Sequence, residues 1–179
     1  LCIVFSAVVL FSPAPSSAYL INFESVSDNI GLGVPVTHQF SALQITFENA
    51  TAVTAGISLN ELDFPPQSGF TVVSNQGNGL MRLLFANPVT DVSGYFTYST
   101  PGGGLMLSAY DGSGTLLGAV TSAFANNTAD IFGDPASAPN EQLKISNVGA
   151  IARLDIDPNG GDFVLDDFSA TPSLAPVPE

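Results

Sequence analysis

The sequence predicts an all-β domain, a two-sheet antiparallel β-sandwich of jelly-roll type, and three observations carry that prediction. Short apolar runs alternate with turn residues from Tyr19 to Ala170. The chain holds 17 Gly and 13 Pro, which punctuate it at the short intervals that packed sheets need. No long stretch keeps helical periodicity without a Gly or Pro inside it. A closed barrel fits the same spacing less well.

Strands are expected at 20–24, 42–47, 70–74, 80–85, 92–100, 105–110, 115–120, 142–146, 152–157 and 163–170. The segment Gly94-Tyr95-Phe96-Thr97-Tyr98 shows a period of two, with Phe96 and Tyr98 on one face and Tyr95 and Thr97 on the other. Asp111-Gly112-Ser113-Gly114 predicts a hairpin turn between its flanking runs. Asp157-Pro158-Asn159-Gly160-Gly161-Asp162 predicts a second hairpin.

The two ends read differently from the body. Residues 1–18 look like a signal peptide whose basic start is missing: an apolar run from Leu1 to Phe11, a Pro break, then Ser16-Ser17-Ala18 as a cleavage site. That run is short for a bilayer span. Residues 19–170 form the sandwich domain. Residues 171–179 are a Pro-rich linker that points to a missing C-terminal element. These features predict a secreted or outer-surface protein with no membrane span in the mature domain. Its only cysteine, Cys2, lies in the leader, so no disulfide or thiolate metal site is expected.

Charge narrows the function. Sixteen acidic residues face only Arg82, Lys144 and Arg153, a net charge of −13. Nucleic acid binding needs clustered cations to displace phosphate counterions, and three scattered bases exclude it. An anionic membrane surface is excluded for the same reason. Neutral sugars, divalent cations or plain solubility remain compatible with the acid excess.

The segments INFE, ITFENAT, VSGYFTY, AYDGSGTLLG and FVLDDFSATPSLAPVPE resemble exported proteins of Gram-negative bacteria that carry a PEP-CTERM sorting domain. In that family a Val-Pro-Glu-Pro motif opens the sorting tail, and Val177-Pro178-Glu179 stops one residue short of it. The resemblance implies handling by exosortase-type machinery, with extracellular polysaccharide, biofilm matrix or cell-surface components as partners.

The layout is also similar to jelly-roll carbohydrate-binding modules, in which neighbouring first and last strands each lend an acid to a structural calcium. That similarity implies a calcium held by Glu24 of the first strand with Asp166 and Asp167 of the last. Asp28 is a candidate to complete the shell, because calcium takes six to eight oxygen ligands. Adjacent strand residues face opposite ways, so only one of Asp166 and Asp167 can reach a shared ion. Asp166 reads as the more buried, on the face of Val164 and Phe168. The competing reading has these acids accepting backbone N–H groups at strand ends.

Other constellations are weaker. Asp155, Asp157, Asn159, Gly160 and Asp166 match EF-hand ligand spacing, but their flanks read as strands where that site needs helices. His38 is the sole histidine and has no nucleophile motif to serve. Tyr95, Tyr98 and Tyr110, with Asn60 and Glu61, are the candidate glycan-binding face, since sugars pack on flat rings beside polar groups. The absence of Trp weakens such a platform. The expected function is therefore non-enzymatic: a matrix-linked domain with weak glycan binding and a structural calcium. Alternatives are a secreted polysaccharide hydrolase, which needs two carboxylates across a sugar, or a purely structural surface protein.

Overall fold

The computed structural model describes residues 17–173. The expected leader and sorting-tail junction fall outside that range, except for Ser17, Ala18 and the first residues of the linker. Ten strands follow in chain order: β1 (Tyr19–Ile21), β2 (Val34–Val36), β3 (Ile45–Glu48), β4 (Ala50–Thr54), β5 (Thr71–Asn75), β6 (Met81–Ser99), β7 (Met106–Tyr110), β8 (Leu116–Thr121), β9 (Glu141–Asp157) and β10 (Asp162–Pro172). Every strand pairing between them is antiparallel.

The molecule is the expected jelly-roll type sandwich, and two long strands serve both layers. The first half of β6 pairs with β3 and with the second half of β9, which continues to β7 and β8. Its second half pairs with the first half of β9 and with β10, which continues through β5 and β4 to β2. Register breaks between Leu84 and Val89 mark the crossing. Extra unpaired residues bend a strand and let it pass from one layer to the other. The sequence reading splits β6 and β9 into two strands each, because Ala86-Asn87-Pro88 and Asn147-Val148-Gly149 look like turns. They are bends within continuous strands.

Other differences are local. β2 and β4 have no counterpart in the expected set: Pro35 interrupts one, and small Ala and Thr residues dominate the other. The first strand ends at Ile21, because Phe23 adopts φ 61 and opens a 3-10 turn over Glu24–Val26. Glu24 therefore sits in a turn, not at a strand end. The expected start of β3 is likewise replaced by a 3-10 turn over Ser41–Leu43. β10 runs on to Pro172, into the expected linker. The Asp111 turn joins paired strands β7 and β8, as expected. The Asp157–Asp162 turn does not make a hairpin: β9 and β10 lie on either side of β6, so this turn carries the chain between layers.

One apolar core lies between the layers. Phe23, Phe47, Phe96, Phe163 and Phe168 are fully buried, and each contributes about 2–3 kcal/mol by leaving water. Phe23 packs edge-to-face on both Phe40 and Phe47, and Phe40 closes the cluster with a tilted contact to Phe47. Val72 and Val164 are also buried but stand outside that core cluster. They belong to the outer face of the β5–β10 layer, beneath the segment 55–70.

Candidate functional site

The segment 55–70 leaves β4 and returns to β5 as a strap over that outer face. Its base is closed by Ala55 N–H donating to Phe70 O at 2.8 Å, and by Ser58 N–H donating to Thr54 O at 2.9 Å. Val53 of β4 and Val72 of β5 are direct cross-strand partners, as are Ser74 of β5 and Val164 of β10. Between strap and sheet runs a groove of about 190 Å³ lined by Val53, Ser58, Leu59, Asn60, Phe64, Ser74, Asp162, Phe163 and Val164. Phe64, Leu59 and the two valines supply apolar wall. Ser58, Asn60, Ser74 and Asp162 supply hydrogen-bonding groups. Asn60 anchors its own turn, donating to Asp63 Oδ2 at 2.5 Å, while its carbonyl accepts from Phe64 N–H at 2.9 Å.

The far end of the strap is fastened by the acids singled out from the sequence. Asp166 is 1% exposed; its Oδ2 accepts from Ser68 N–H at 2.9 Å and its Oδ1 from Asp167 N–H at 2.7 Å. Burial pushes its carboxyl up to about 6, against the lowering effect of those N–H groups. Asp167 accepts from the Ser68 hydroxyl at 3.0 Å. Glu24 Oε1 accepts from both Phe70 and Thr71 N–H, at 2.9 and 2.8 Å. Gly69, at φ 57, lies so close to Glu24 that any side chain there would collide with the carboxylate.

Asp28 does separate work. Its carboxylate accepts from Ile30, Gly31 and Gly33 N–H groups, which hold its pKa below the usual carboxylate value. Thus β1 and β10 do pair, as the jelly-roll layout implies, but Glu24, Asp166 and Asp167 bond the end of the strap at Ser68–Thr71 while Asp28 bonds its own loop. A cation would have to compete with N–H donors already aimed at Glu24, Asp28 and Asp166. Among the described residues no group of three or more His, Cys, Asp or Glu side chains converges as a metal shell.

Asp166 keeps its expected face with Val164, and it is Phe168 that leaves that face. Asp167 takes φ 45 and the β10–β6 register shifts after Asp166. That bulge turns Phe168 into the core against Phe85, while Asp166 stays on the outer face with Val164. The EF-hand spacing resolves into an ordinary turn: Asp157 Oδ1 accepts from Asn159 N–H at 2.8 Å, between strands.

The three tyrosines form no common platform. Tyr98 is fully buried, its hydroxyl donating to Glu141 Oε2, and burial holds its pKa well above the usual phenol value. Tyr95 lies directly across from Asp166 on the strap side. Tyr110 belongs to the other layer, with the Arg153 guanidinium 4.1 Å from its ring centroid. Glu61 is in the strap, its carboxylate favoured by backbone N–H groups of Glu61 and Gly56, but it does not line the groove. Asn60 alone of the expected ligand-binding residues does. Phe64, Ser74 and Asp162 carried no signal, because they come from three distant segments.

No family model and no curated protein matches the chain. Among solved structures it is similar to the K2 cleaved adhesin domain of Lys-gingipain, at 15% identity over 87% of this chain and 99% of that one, TM-score 0.49. It is also similar to TmCBM61, solved in complex with β-1,4-galactotriose, at 12% identity over 74% of this chain and 89% of that one, TM-score 0.35. A family 11 carbohydrate-binding module from a cellulosomal cellulase of Clostridium thermocellum matches at 12% identity over 83% of this chain and 98% of that one, TM-score 0.29. At these levels the likenesses carry no functional argument.

Proposed function

We propose that the protein is an exported, non-catalytic domain that binds a glycan of the extracellular matrix in the groove beneath the 55–70 strap. The observation that carries this reading is the lining itself: the Phe64 ring and apolar walls beside Ser58, Asn60, Ser74 and Asp162. A sugar ring presents C–H groups to an aromatic wall and hydroxyls to such polar groups. Asp162 is the only carboxylate among the lining residues. A glycosidase requires two carboxylates facing each other across the substrate, so the groove supports binding over hydrolysis. The leader-like apolar run and the resemblance to PEP-CTERM proteins support export and sorting by exosortase-type machinery. No helix among the described residues is long and apolar enough to cross a membrane.

Titration calorimetry against a panel of soluble polysaccharides tests this reading. Binding weakened about tenfold or more by Asn60→Ala and by Phe64→Ala, with no reducing ends released, is the expected result. Unaltered binding in both variants, or none to any glycan at millimolar sites, would remove the groove from the function.

A further inference from the structure

A ligand seated over a carboxylate strips water from it, and only a partner that returns both hydrogen bonds and opposite charge offsets that loss in full. In the groove beneath the strap this concerns Asp162. It opens β10, is exposed, and lies opposite Ser99 of β6. Among the described residues its carboxylate has no hydrogen-bond partner and no ion pair, although Ser58, Asn60 and Ser74 line the same groove.

No cation lines the groove, and the chain has none free to lend. Arg82 and Arg153 both reach Asp155 on the other layer, at 3.3 and 3.0 Å. Lys144 lines a separate hollow with Asp91 and Ser93. The strap adds two more acids, Glu61 and Asp63, and Asp63 adjoins Phe64 of the groove wall. Strap and strand thus give the groove a negative field with no positive pole on its walls.

We propose that the groove, on the reading that it is a glycan site, selects amino sugars bearing free ammonium groups over neutral and acidic glycans. A sugar hydroxyl gives Asp162 a hydrogen bond but leaves its charge unmatched. An ammonium supplies both, in a charge-assisted bond about twice as strong as a neutral one. N-acetylation keeps an N–H but removes the charge. A uronate or sulfate ester brings a second anion against Asp162 with no cation between them.

Calorimetry at about pH 6, where a sugar amine is ionised, tests this with tetrasaccharides of glucosamine, N-acetylglucosamine, glucose and galacturonate. Glucosamine should bind about tenfold tighter than glucose or N-acetylglucosamine, with galacturonate weakest. Asp162→Asn keeps the shape without the charge and should bring glucosamine and glucose to equal affinity. Phe64→Ala should weaken both alike. A chain at −13 attracts any polycation, so Glu48→Gln is the control: exposed on β3 of the other layer, it loses the same charge and should keep the preference. Glucose or galacturonate matching glucosamine, a preference that survives Asp162→Asn, or an equal loss in Glu48→Gln would overturn amine selection. Neutral tetramers that still bind, and still weaken in Phe64→Ala, would then leave the groove standing as a glycan site without it. Failure of every tetramer at about millimolar sites also overturns amine selection, and the polysaccharide panel decides the groove separately.

Discussion

Asp166 and Asp28 are both buried acids, yet their surroundings push them in opposite directions. Asp28 meets three backbone N–H groups, so its carboxylate is favoured and its folded pKa falls below the unfolded value. Its stabilising contribution is present above the unfolded value and is lost as pH drops through the folded one. Asp166 loses more to burial than it gains from its N–H partners, so its folded pKa rises from 3.8 to about 6. The folded state then binds the extra proton, and the associated stability is full below about 3.8 and lost as pH rises through about 6. Urea unfolding at pH 4.5 and 7.5 checks the sign: Asp166→Asn should reduce the excess stability at the lower pH, by up to about 2–3 kcal/mol. A carboxyl NMR titration of Asp166 should place its midpoint near 6. Neither shift could be read from the sequence, since both acids look alike until their donors are in place.

At the scale of elements, the strap and the paired charges on the opposite layer make separable predictions. Gly69→Ala should loosen the strap, because the position needs φ 57 and has no room beside Glu24. The expected cost is about 1–3 kcal/mol, with faster hydrogen exchange at Ser68, Phe70 and Thr71 than across the rest of the sheet. On the other layer Asp155 lies 3.3 Å from Arg82 Nε and 3.0 Å from Arg153 Nε, and Arg82 also reaches Glu48 at 3.5 Å. The arginines are partly exposed, so Asp155→Ala should cost only about 1 kcal/mol, and less at high salt. Chemical denaturation at two ionic strengths measures both parts. Strand positions were legible where side chains alternate, as in Gly94–Tyr98. The bends in β6 and β9 were not, because a bulge and a turn use the same residues.

For the molecule as a whole, the excess of 13 negative charges opposes compaction. Raising salt from about 10 to 300 mM should therefore raise the thermal midpoint, opposite in sign to its effect on the Asp155 pairs. Calcium and chelator should leave that midpoint equal, since only a site present in the folded state gives a mass-action shift. A clear calcium-dependent rise would mean that the N–H donors around Glu24 and Asp166 yield to an ion.

Composition and period alone determined the class of this protein: many turns, alternating apolar residues and too few cations for nucleic acid leave an all-β domain that buries its Phe and aliphatic residues between sheets. Those are local and additive properties, so they are readable along the chain. The tertiary structure alone decided what the acids and tyrosines do. Tyr98 went into the core, Tyr110 under Arg153, and Glu24, Asp166 and Asp167 onto the strap, while Asn60 met Phe64 and Asp162 at one groove. Each of these outcomes depends on which distant backbone donors and walls arrive beside a side chain, and that is set by sheet order and by a single bulge at Asp167, not by spacing in the sequence.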